Sequence, residues 1–429
     1  MSARSKIKAP RGTFDVLGEQ AQARTALEAR ARSILESAGY ERIETPTFEA
    51  TELFARGVGE STDIVTKEMF TFTDAGGRSL TLRPEGTAPV CRAYVEHGMH
   101  KRRQPVKLWY LSSFFRHERA QAGRYRQFWQ VGAEALGSDD PAVDAELIVL
   151  LASLLKDVGV REVGLRLSTL GTPERRSEYR ELLGAHLREN EASLSEDVRA
   201  RIASNPLRAF DSEHEGTRHV VATAPLLIDH LDADDLDHFA SVRELLDEAG
   251  LPYTVDPTLV RGLDYYTRTV FEFTSAALGA QSGVAGGGRY DRLVEQLGGP
   301  ATPGVGFAAG IERMLLARAG AGAELDTGPA QRGERPLDLF IVRADGAHEL
   351  RRAAFALLTE ARSAGLGAQM ELAGRSVKGA LGQADALGAR FVAIVENEGS
   401  ALRDMQDGGQ EEIPTDTVTH TVLARLRTL

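Results

Sequence analysis

Four polar clusters along the chain carry residues able to do chemistry. "RPEGT" supplies Arg83, Glu85, Gly86 and Thr87. "FRHERAQAGRYRQFWQVGAE" supplies Arg116, Glu118, Arg124, Gln130 and Glu134. "LVRGLDYYTRTVFEF" gathers Arg261, Asp264 and the tandem Tyr265–Tyr266, with Gly262 permitting close backbone approach. "GVGFAAGIERM" places Arg313 near the start of a helix. Arginine recurs across these clusters, and its planar fork suits bidentate recognition of phosphate or carboxylate. A helix start such as 310–313 also favours anions. The acids Glu85 and Glu134 would suit a cationic small molecule. His117, Asp264 and Arg289 have bland alternatives as structural, turn or ion-pair residues, and Tyr265 as a packed strand residue.

These clusters need elements to hold them. Residues 20–38 place Leu27, Ala31, Ile34, Leu35 and Ala38 at helical spacing, and Gly39 stops that helix. "YERIETPTFE" reads as extended, punctuated by Pro46. "RSLTLRPEGT" reads as a strand entering a polar loop, and "APVCRAYVEHG" as a helix. "VKLWYLSSFFRHE" and "RYRQFWQVGAEAL" read as the two strands of a long antiparallel hairpin with a basic tip at "RAQAG". Helices are expected over 141–158 and 176–189. The latter opens a polar, helix-rich stretch running to about 250, an insertion between two halves of one sheet. The sheet is expected to resume over 253–273, with Val270 and Glu272 on one face and Thr269, Phe271 and Phe273 on the other. It continues through "VAGGGRYDRL" and ends in "GVGFAAG", which feeds the helix "IERMLLARA". Residues 318–335, rich in Gly, Ala and charge, read as a linker. Beyond it strands and helices alternate, which argues a separate small α/β domain with mixed strand directions.

Bulk properties narrow the classes. A chain of 429 residues is too long for one compact core. The net charge of −11 argues against a wholesale basic nucleic-acid binder, although not against a local basic surface. Such a surface is legible between 101 and 130. Lys101, Arg102, Arg103, Lys107, Arg116, Arg119, Arg124 and Arg126 stand there against the single acid Glu118, interleaved with aromatics. No segment approaches ~18 uninterrupted apolar residues, so no membrane span is expected. The basic start has no apolar stretch of the kind a signal peptide needs. Cys91 is the only cysteine, which leaves no disulfide framework or thiolate metal site and fits a reducing cytoplasm. No phosphate-binding G-x-x-x-x-G-K-[ST] loop occurs, and "GGGRYD" lacks the spacing of a dinucleotide fingerprint.

Taken in order, the four clusters resemble a class II aminoacyl-tRNA synthetase, and more closely a histidyl-tRNA synthetase. "LVRGLDYYTRTVFEF" is similar to that family's histidine-specific signature. "FRHE…RYRQF" is similar to its motif 2, "GVGFAAGIER" to its motif 3, and the first helix followed by Pro46 to its motif 1 dimer element. The resemblance spans essentially the whole chain. Gly286 stands where alanine is common in the family.

The resemblance implies an α+β fold: an antiparallel-sheet class II catalytic domain over 1–325 with a helical insertion at about 172–250. A linker over 318–335 and a C-terminal α/β anticodon-binding domain over 336–429 would follow. It implies a cytoplasmic homodimer, not membrane-bound, that uses ATP, Mg²⁺, L-histidine and histidine tRNA, with no structural metal. ATP would lie across the sheet. Arg116 and Arg313 would clamp its α- and γ-phosphates, Arg124 would serve the triphosphate, Glu118 would face the adenine or the metal, and Phe128 would stack under the ring. The histidine ammonium would sit near Glu85, Gly86, Thr87 and Gln130. Glu134 and Tyr266 would read the imidazole, and Tyr265 and Tyr290 would line its pocket. Arg261 would reach the α-phosphate, and Gln121 would approach the acceptor end of tRNA. Physics points the same way: two anions must meet, so fixed cations matter more than proton transfer. A site that hydrogen-bonds a polar side chain rejects analogues lacking the partner by ~10⁴ or more. Two alternatives stay open, a non-catalytic histidine-sensing regulator of a phosphoribosyltransferase and a class II ligase for another amino acid. The first lacks the C-terminal domain and usually loses parts of the signature; the second should not carry the signature at all.

Overall fold

The alternation in "VKLWYLSSFF" and "QFWQVGAEAL" builds the hairpin on which everything else in the catalytic half is arranged. In the computed structural model, which describes residues 6–59, 62–259, 262–279, 282–320, 337–345 and 347–427, the chain divides into two units, Met1–Asp326 and Thr327–Leu429. The first contributes strands β1 (Glu41–Arg42), β2 (Phe48–Ala50), β3 (Phe70–Thr73), β4 (Ser79–Leu82), β5 (Val106–Phe115), β6 (Gln127–Leu136), β7 (Val163–Thr169), β8 (Thr254–Val255), β9 (Thr267–Ser275), β10 (Gly283–Arg289) and β11 (Gly304–Gly310). Eight of them form one sheet in the order β1-β5-β6-β11-β10-β9-β7-β8. Every neighbouring pair from β5 to β7 is antiparallel, and the short β1 and β8 add parallel edges. Strands β2, β4 and β3 make a small separate sheet. The segment 41–50 thus passes from one sheet to the other.

The two faces of the large sheet have different work. Trp109, Val131, Ala133, Phe271, Phe273, Val305, Phe307 and Ala309 point to one face, against Leu27 and Leu35, Leu147 and Leu151, and Ile311 and Met314. These belong to the helices Glu19–Ser37, Pro141–Asp157 and Ile311–Gly320. On the other face Leu108, Tyr110, Phe114 and Val270 join Tyr265, Tyr266 and Tyr290. Because successive strand residues alternate, each strand supplies both the core and the opposite face. The helix Pro141–Asp157 starts where the sequence allows it, with Asp140 accepting from the Ala142 amide at 2.8 Å and Pro141 in the first turn.

Three departures from the sequence reading have local causes. The sheet does not resume continuously over 253–273: after β8 the chain leaves it and re-enters at Thr267. Asp256 turns it aside by accepting from the Thr258 amide and hydroxyl at 2.9 and 2.6 Å, with Pro257 between them. Asp264 and Tyr265–Tyr266 therefore stand on a turn before β9, not in a strand. Strand β7 was not legible, because its Gly164 and Arg166 dilute the β pattern. The helix expected from 176 begins at Pro173, where Thr172 accepts from the Arg175 amide at 3.3 Å. The predicted linker falls outside the described residues beyond Gly320, where the helix Ile311–Gly320 ends.

The stretch between β7 and β8 is helical, with its own core of Tyr179, Leu183, Leu187, Val198, Leu207 and Val220. Its last helix, Ala233–Glu248, packs back on the sheet through Phe239, Val242 and Leu246. Arg289, fully buried, pairs with Asp144 and with Asp291 at 3.2 Å, and Asp144 also meets His238 at 3.4 Å. That ion network ties β10 to two helices and accounts for Arg289 without chemistry.

In the second unit β12 (Leu339–Arg343), β13 (Ala368–Met370), β14 (Phe391–Glu396), β15 (Gly399–Asp404) and β16 (Gln410–Ile413) form a sheet in the order β13-β12-β14-β15-β16. The first three are parallel and the last two antiparallel. Leu339 and Ile341 face the helices His348–Ser363 and Val418–Arg427, while Phe340 and Val342 face Val377–Ala386.

Candidate active site

On the face of the large sheet away from the three helices, β6 presents Gln130, Gly132 and Glu134, and β11 presents Gly306 and Ala308 across from them. Small residues there leave a cavity of about 180 Å³. Glu85, Gly86, Thr87, Gln130, Tyr265, Tyr266 and Tyr290 line it, so seven of the residues expected around histidine come together, and Arg116 joins them in the wall. Ile64, Tyr110, Gly262, Leu263, Gly286, Gly306, Phe307 and Ala308 complete the wall.

Glu134 lies beneath this cavity with 0% exposure. Thr87 Oγ1 donates to its Oε1 at 2.8 Å and the Tyr290 hydroxyl to its Oε2 at 2.6 Å. Burial pushes its carboxyl up to about 8, against the pull of those two hydroxyls. Gly306 is required opposite it: a Cβ there would stand 1.7 Å from Glu134 Oε2. Glu85 is also raised by burial. Its two oxygens accept from the amides of Thr87 and Ala88 at 2.8 and 3.0 Å, which caps the helix Thr87–Glu96, and the Tyr265 hydroxyl reaches it at 3.4 Å. Gln130 Oε1 is buried with no hydrogen-bond partner among the described residues. The phenols of Tyr265 and Tyr290 are pushed well up by burial, so both remain hydrogen-bonding hydroxyls.

A second group stands where the hairpin ends. Arg116 Nε donates to the Pro84 carbonyl at 2.8 Å, which fixes the guanidinium 5.3 Å from the centroid of Phe128. Glu118 lies between Arg116 at 3.8 Å and Arg124 at 3.5 Å. Arg313 donates from Nε to the Gly283 carbonyl; burial and the charge of Arg124 lower its pKa, and Glu118 and Glu272 act on it in the opposite direction. The hairpin tip folds over the helix Ile311–Gly320, so that a Cβ on Gly123 would meet Leu316 and Arg313. Gln121, exposed at that tip, forms a tight bridge with Arg124 and does not line the cavity. Arg261 lies outside the described residues. Among the described residues no group of three or more His, Cys, Asp or Glu side chains is placed to hold a metal ion, and no helix is long and apolar enough to cross a membrane.

Tyr110 was missed by sequence reasoning. Its ring passes so close to Gly86 and Gly132 that a Cβ on either would clash with it. The hairpin register would have exposed it, because Leu108, Tyr110 and Ser112 sit opposite Glu134, Gly132 and Gln130 and share their face.

The arrangement offers a cavity walled by Glu85, phenols and Arg116, with Glu134 beneath it, and beyond that wall the further guanidinium groups of Arg124 and Arg313. It can hold a small cation beside an extended polyanion. Residues 12–314 match the family model described as histidyl-tRNA synthetase. The chain is 44% identical to a histidine–tRNA ligase of Desulforamulus reducens over 97% of its own length and 99% of that protein's. It is 46% identical to one of Rubrobacter xylanophilus, over 94% and 96% respectively. It also resembles the solved apo structure of S. aureus histidyl-tRNA synthetase, with a TM-score of 0.77 and 37% identity over 97% of this chain and 100% of that one. The chain belongs to the histidyl-tRNA synthetase family.

Proposed function

We propose that the chain ligates L-histidine to its cognate tRNA through a histidyl-adenylate. The observation that carries this is Glu134, held by two hydroxyls beneath a cavity that Arg116 lines, with Glu118 set between Arg116 and Arg124. The histidine carboxylate attacks the α-phosphorus of ATP, a new P–O bond forms, and pyrophosphate leaves. The terminal ribose hydroxyl of tRNA then attacks the activated carbonyl, and AMP leaves. Near-full-length identity to histidine–tRNA ligases supports this reading over a regulatory one.

The residue roles follow from chemistry and position. Glu85, Thr87 and Gln130 receive the ammonium, and the unpaired Gln130 Oε1 is an acceptor that an ammonium satisfies. Glu134 and Tyr266 read the imidazole, with Tyr265 and Tyr290 as walls. Arg116, with its Nε anchored on a carbonyl, needs little reorganisation when charge develops at the α-phosphate. Arg313 serves the far phosphate and Arg124 the triphosphate. Phe128 lies under the adenine. Arg261 would complete the charge around the α-phosphorus. Mg²⁺ arrives with ATP as part of the substrate; Glu118 supplies one carboxylate beside the phosphates, the donor set this ion commonly takes. Gln121 meets the acceptor end of tRNA, and residues 336–429 bind the anticodon. Two copies pair through the small sheet, where Phe48 and Phe72 are 50% and 43% exposed with ring centroids 6.1 Å apart. The protein works in the cytoplasm, and the buried, un-ionised Cys91 thiol suits a reducing compartment.

The test is exchange of pyrophosphate into ATP without tRNA, driven by each amino acid in turn. Exchange with histidine alone is the expected result. Histidine binding without exchange would instead favour the regulatory reading.

A further inference from the structure

Among the polar contacts that join the helical stretch between β7 and β8 to the rest of its unit, two engage segments that line the large cavity. At the first, Arg176 on the helix Pro173–Glu189 donates from Nη1 to the Tyr266 carbonyl and from Nη2 to the Asp264 carbonyl at 3.0 Å. One turn on, Arg180 lies 3.6 Å from Asp264 Oδ1. The two carbonyls bracket Tyr265, which lines the cavity with Tyr266. At the second, Asp63 Oδ2 takes Arg208 at 3.1 Å and Arg201 at 3.5 Å. The next residue, Ile64, lines the cavity from the opposite segment.

Arg176 is 8% exposed, and burial lowers its pKa to about 10, so it remains a cation at neutral pH. Burying a guanidinium is a costly way to attach a helix; an apolar side chain of similar volume would attach it with no charge to desolvate. What the guanidinium adds is geometry. Its planar fork fixes two carbonyls of a turn that the sheet ladder does not hold. Beside it lies a second cavity of about 30 Å³. Arg180 Nε and Asn205 Oδ1, from residues lining it, have no hydrogen-bond partner among the described residues. The contact therefore has space and unsatisfied polar atoms next to it, which an apolar seam would not have.

We propose that Arg176 is a positioning residue for histidine recognition. With Asp63, Arg201 and Arg208 it lets the helical insertion set the spacing between the Ile64 wall and the Tyr265–Tyr266 wall. Movement of the insertion then changes histidine affinity, and by reciprocity bound histidine restrains the insertion. This rests on histidine occupying the large cavity.

The test uses the full chain in histidine-dependent pyrophosphate exchange, with Arg176→Met, Arg176→Lys and the double variant Arg201→Gln/Arg208→Gln. Arg176→Met is expected to raise the histidine KM about tenfold while the ATP KM stays within about twofold. Arg176→Lys should recover part of the loss, and the double variant should shift the histidine KM in the same direction. In the parent, saturating histidine should slow amide exchange along the helix Pro173–Glu189, and Arg176→Met should abolish that slowing. A lowered melting temperature with both KM values unchanged, or an equal rise in both, would assign Arg176 to fold stability alone and overturn the proposal. If Arg176→Met does not fold, the double variant decides: a selective histidine effect upholds the coupling and none removes it. Failure of the underlying functional reading is separately visible, because the parent itself would then show no histidine-dependent exchange.

Discussion

Glu134→Gln should stabilise this protein at alkaline pH while damaging its site. The Glu134 carboxyl has the ordinary glutamate value near 4.5 when unfolded, and burial pushes it up to about 8 when folded. Between those values the folded state binds more protons than the unfolded state, so stability falls as pH rises. The sign is that of a raised acid: its protonated form is fully compatible with the fold below 4.5, and the compatibility is lost on passing through about 8. Each pH unit inside the window costs up to about 1.4 kcal/mol. Across the window the loss is on the order of 3–5 kcal/mol, a large fraction of the stability of an ordinary domain. Glutamine copies the protonated acid. Its carbonyl accepts from one of the two hydroxyls now facing Glu134, those of Thr87 and Tyr290, and its amide donates to the oxygen of the other. Nothing in it titrates.

The two proteins should therefore melt together near pH 4 and diverge progressively above about pH 5, with the variant the more stable. For a unit as large as Met1–Asp326, 1 kcal/mol corresponds to roughly 1–2 °C in midpoint. The gap at pH 8.5 should be roughly 4–8 °C. Scanning calorimetry of the histidine-free proteins at pH 5.5, 6.5, 7.5 and 8.5 measures it, and other titrating groups cancel in the difference. Parallel curves across that range would mean that Glu134 ionises freely in the fold, and the reasoning from burial would be wrong. Histidine-dependent exchange by the variant should be low throughout, the usual exchange of activity for stability at a binding site.

Other outcomes follow from the same geometry. Gly306→Ala puts a methyl group into the Glu134 carboxylate; histidine KM should rise about 10–100-fold, the cost of one hydrogen bond to a charged group, and steady-state exchange kinetics would show it. Arg116→Ala should slow single-turnover adenylate formation by ~10²-fold or more, and an unchanged rate in rapid quench would remove Arg116 from the chemistry. Phe48→Glu with Phe72→Glu places charge on the exposed pair of the small sheet; sedimentation should move from dimer to monomer, and a persistent dimer would locate the interface elsewhere.

The sequence showed more of the site than of its support. Glu85, Thr87, Gln130, Glu134 and the tandem tyrosines stand out because they are polar groups inside or beside apolar strands, where burial without purpose is expensive. Hairpin pairing was legible from alternation, and Tyr110 could have been found by counting its register. The exit from the sheet after β8 was not legible, because its cause is a local Asp256–Thr258 contact that interrupts a segment otherwise rich in β-formers. Arg176 was hidden in "PERRSEYRELL", which reads as a charged helix. A helical wheel does place it with Tyr179, Leu183 and Leu187, all buried, but two neighbouring residues are also arginines, and only tertiary packing shows which one is covered.

One sheet carries both the core and the site because strand alternation separates them residue by residue. In β11, Val305, Phe307 and Ala309 enter the helix-covered core, while Gly304, Gly306, Ala308 and Gly310 take the opposite face. In β6, Val131, Ala133 and Ala135 do the same opposite Gln130, Gly132 and Glu134. The cavity is thus made by omitting side chains from one face, and its polar groups are borne by strands already fixed through the other. That division explains how a fully buried carboxyl near pKa 8 can persist. The packed face offsets its desolvation without touching it, so the site can be tuned for a ligand while the fold is held from behind.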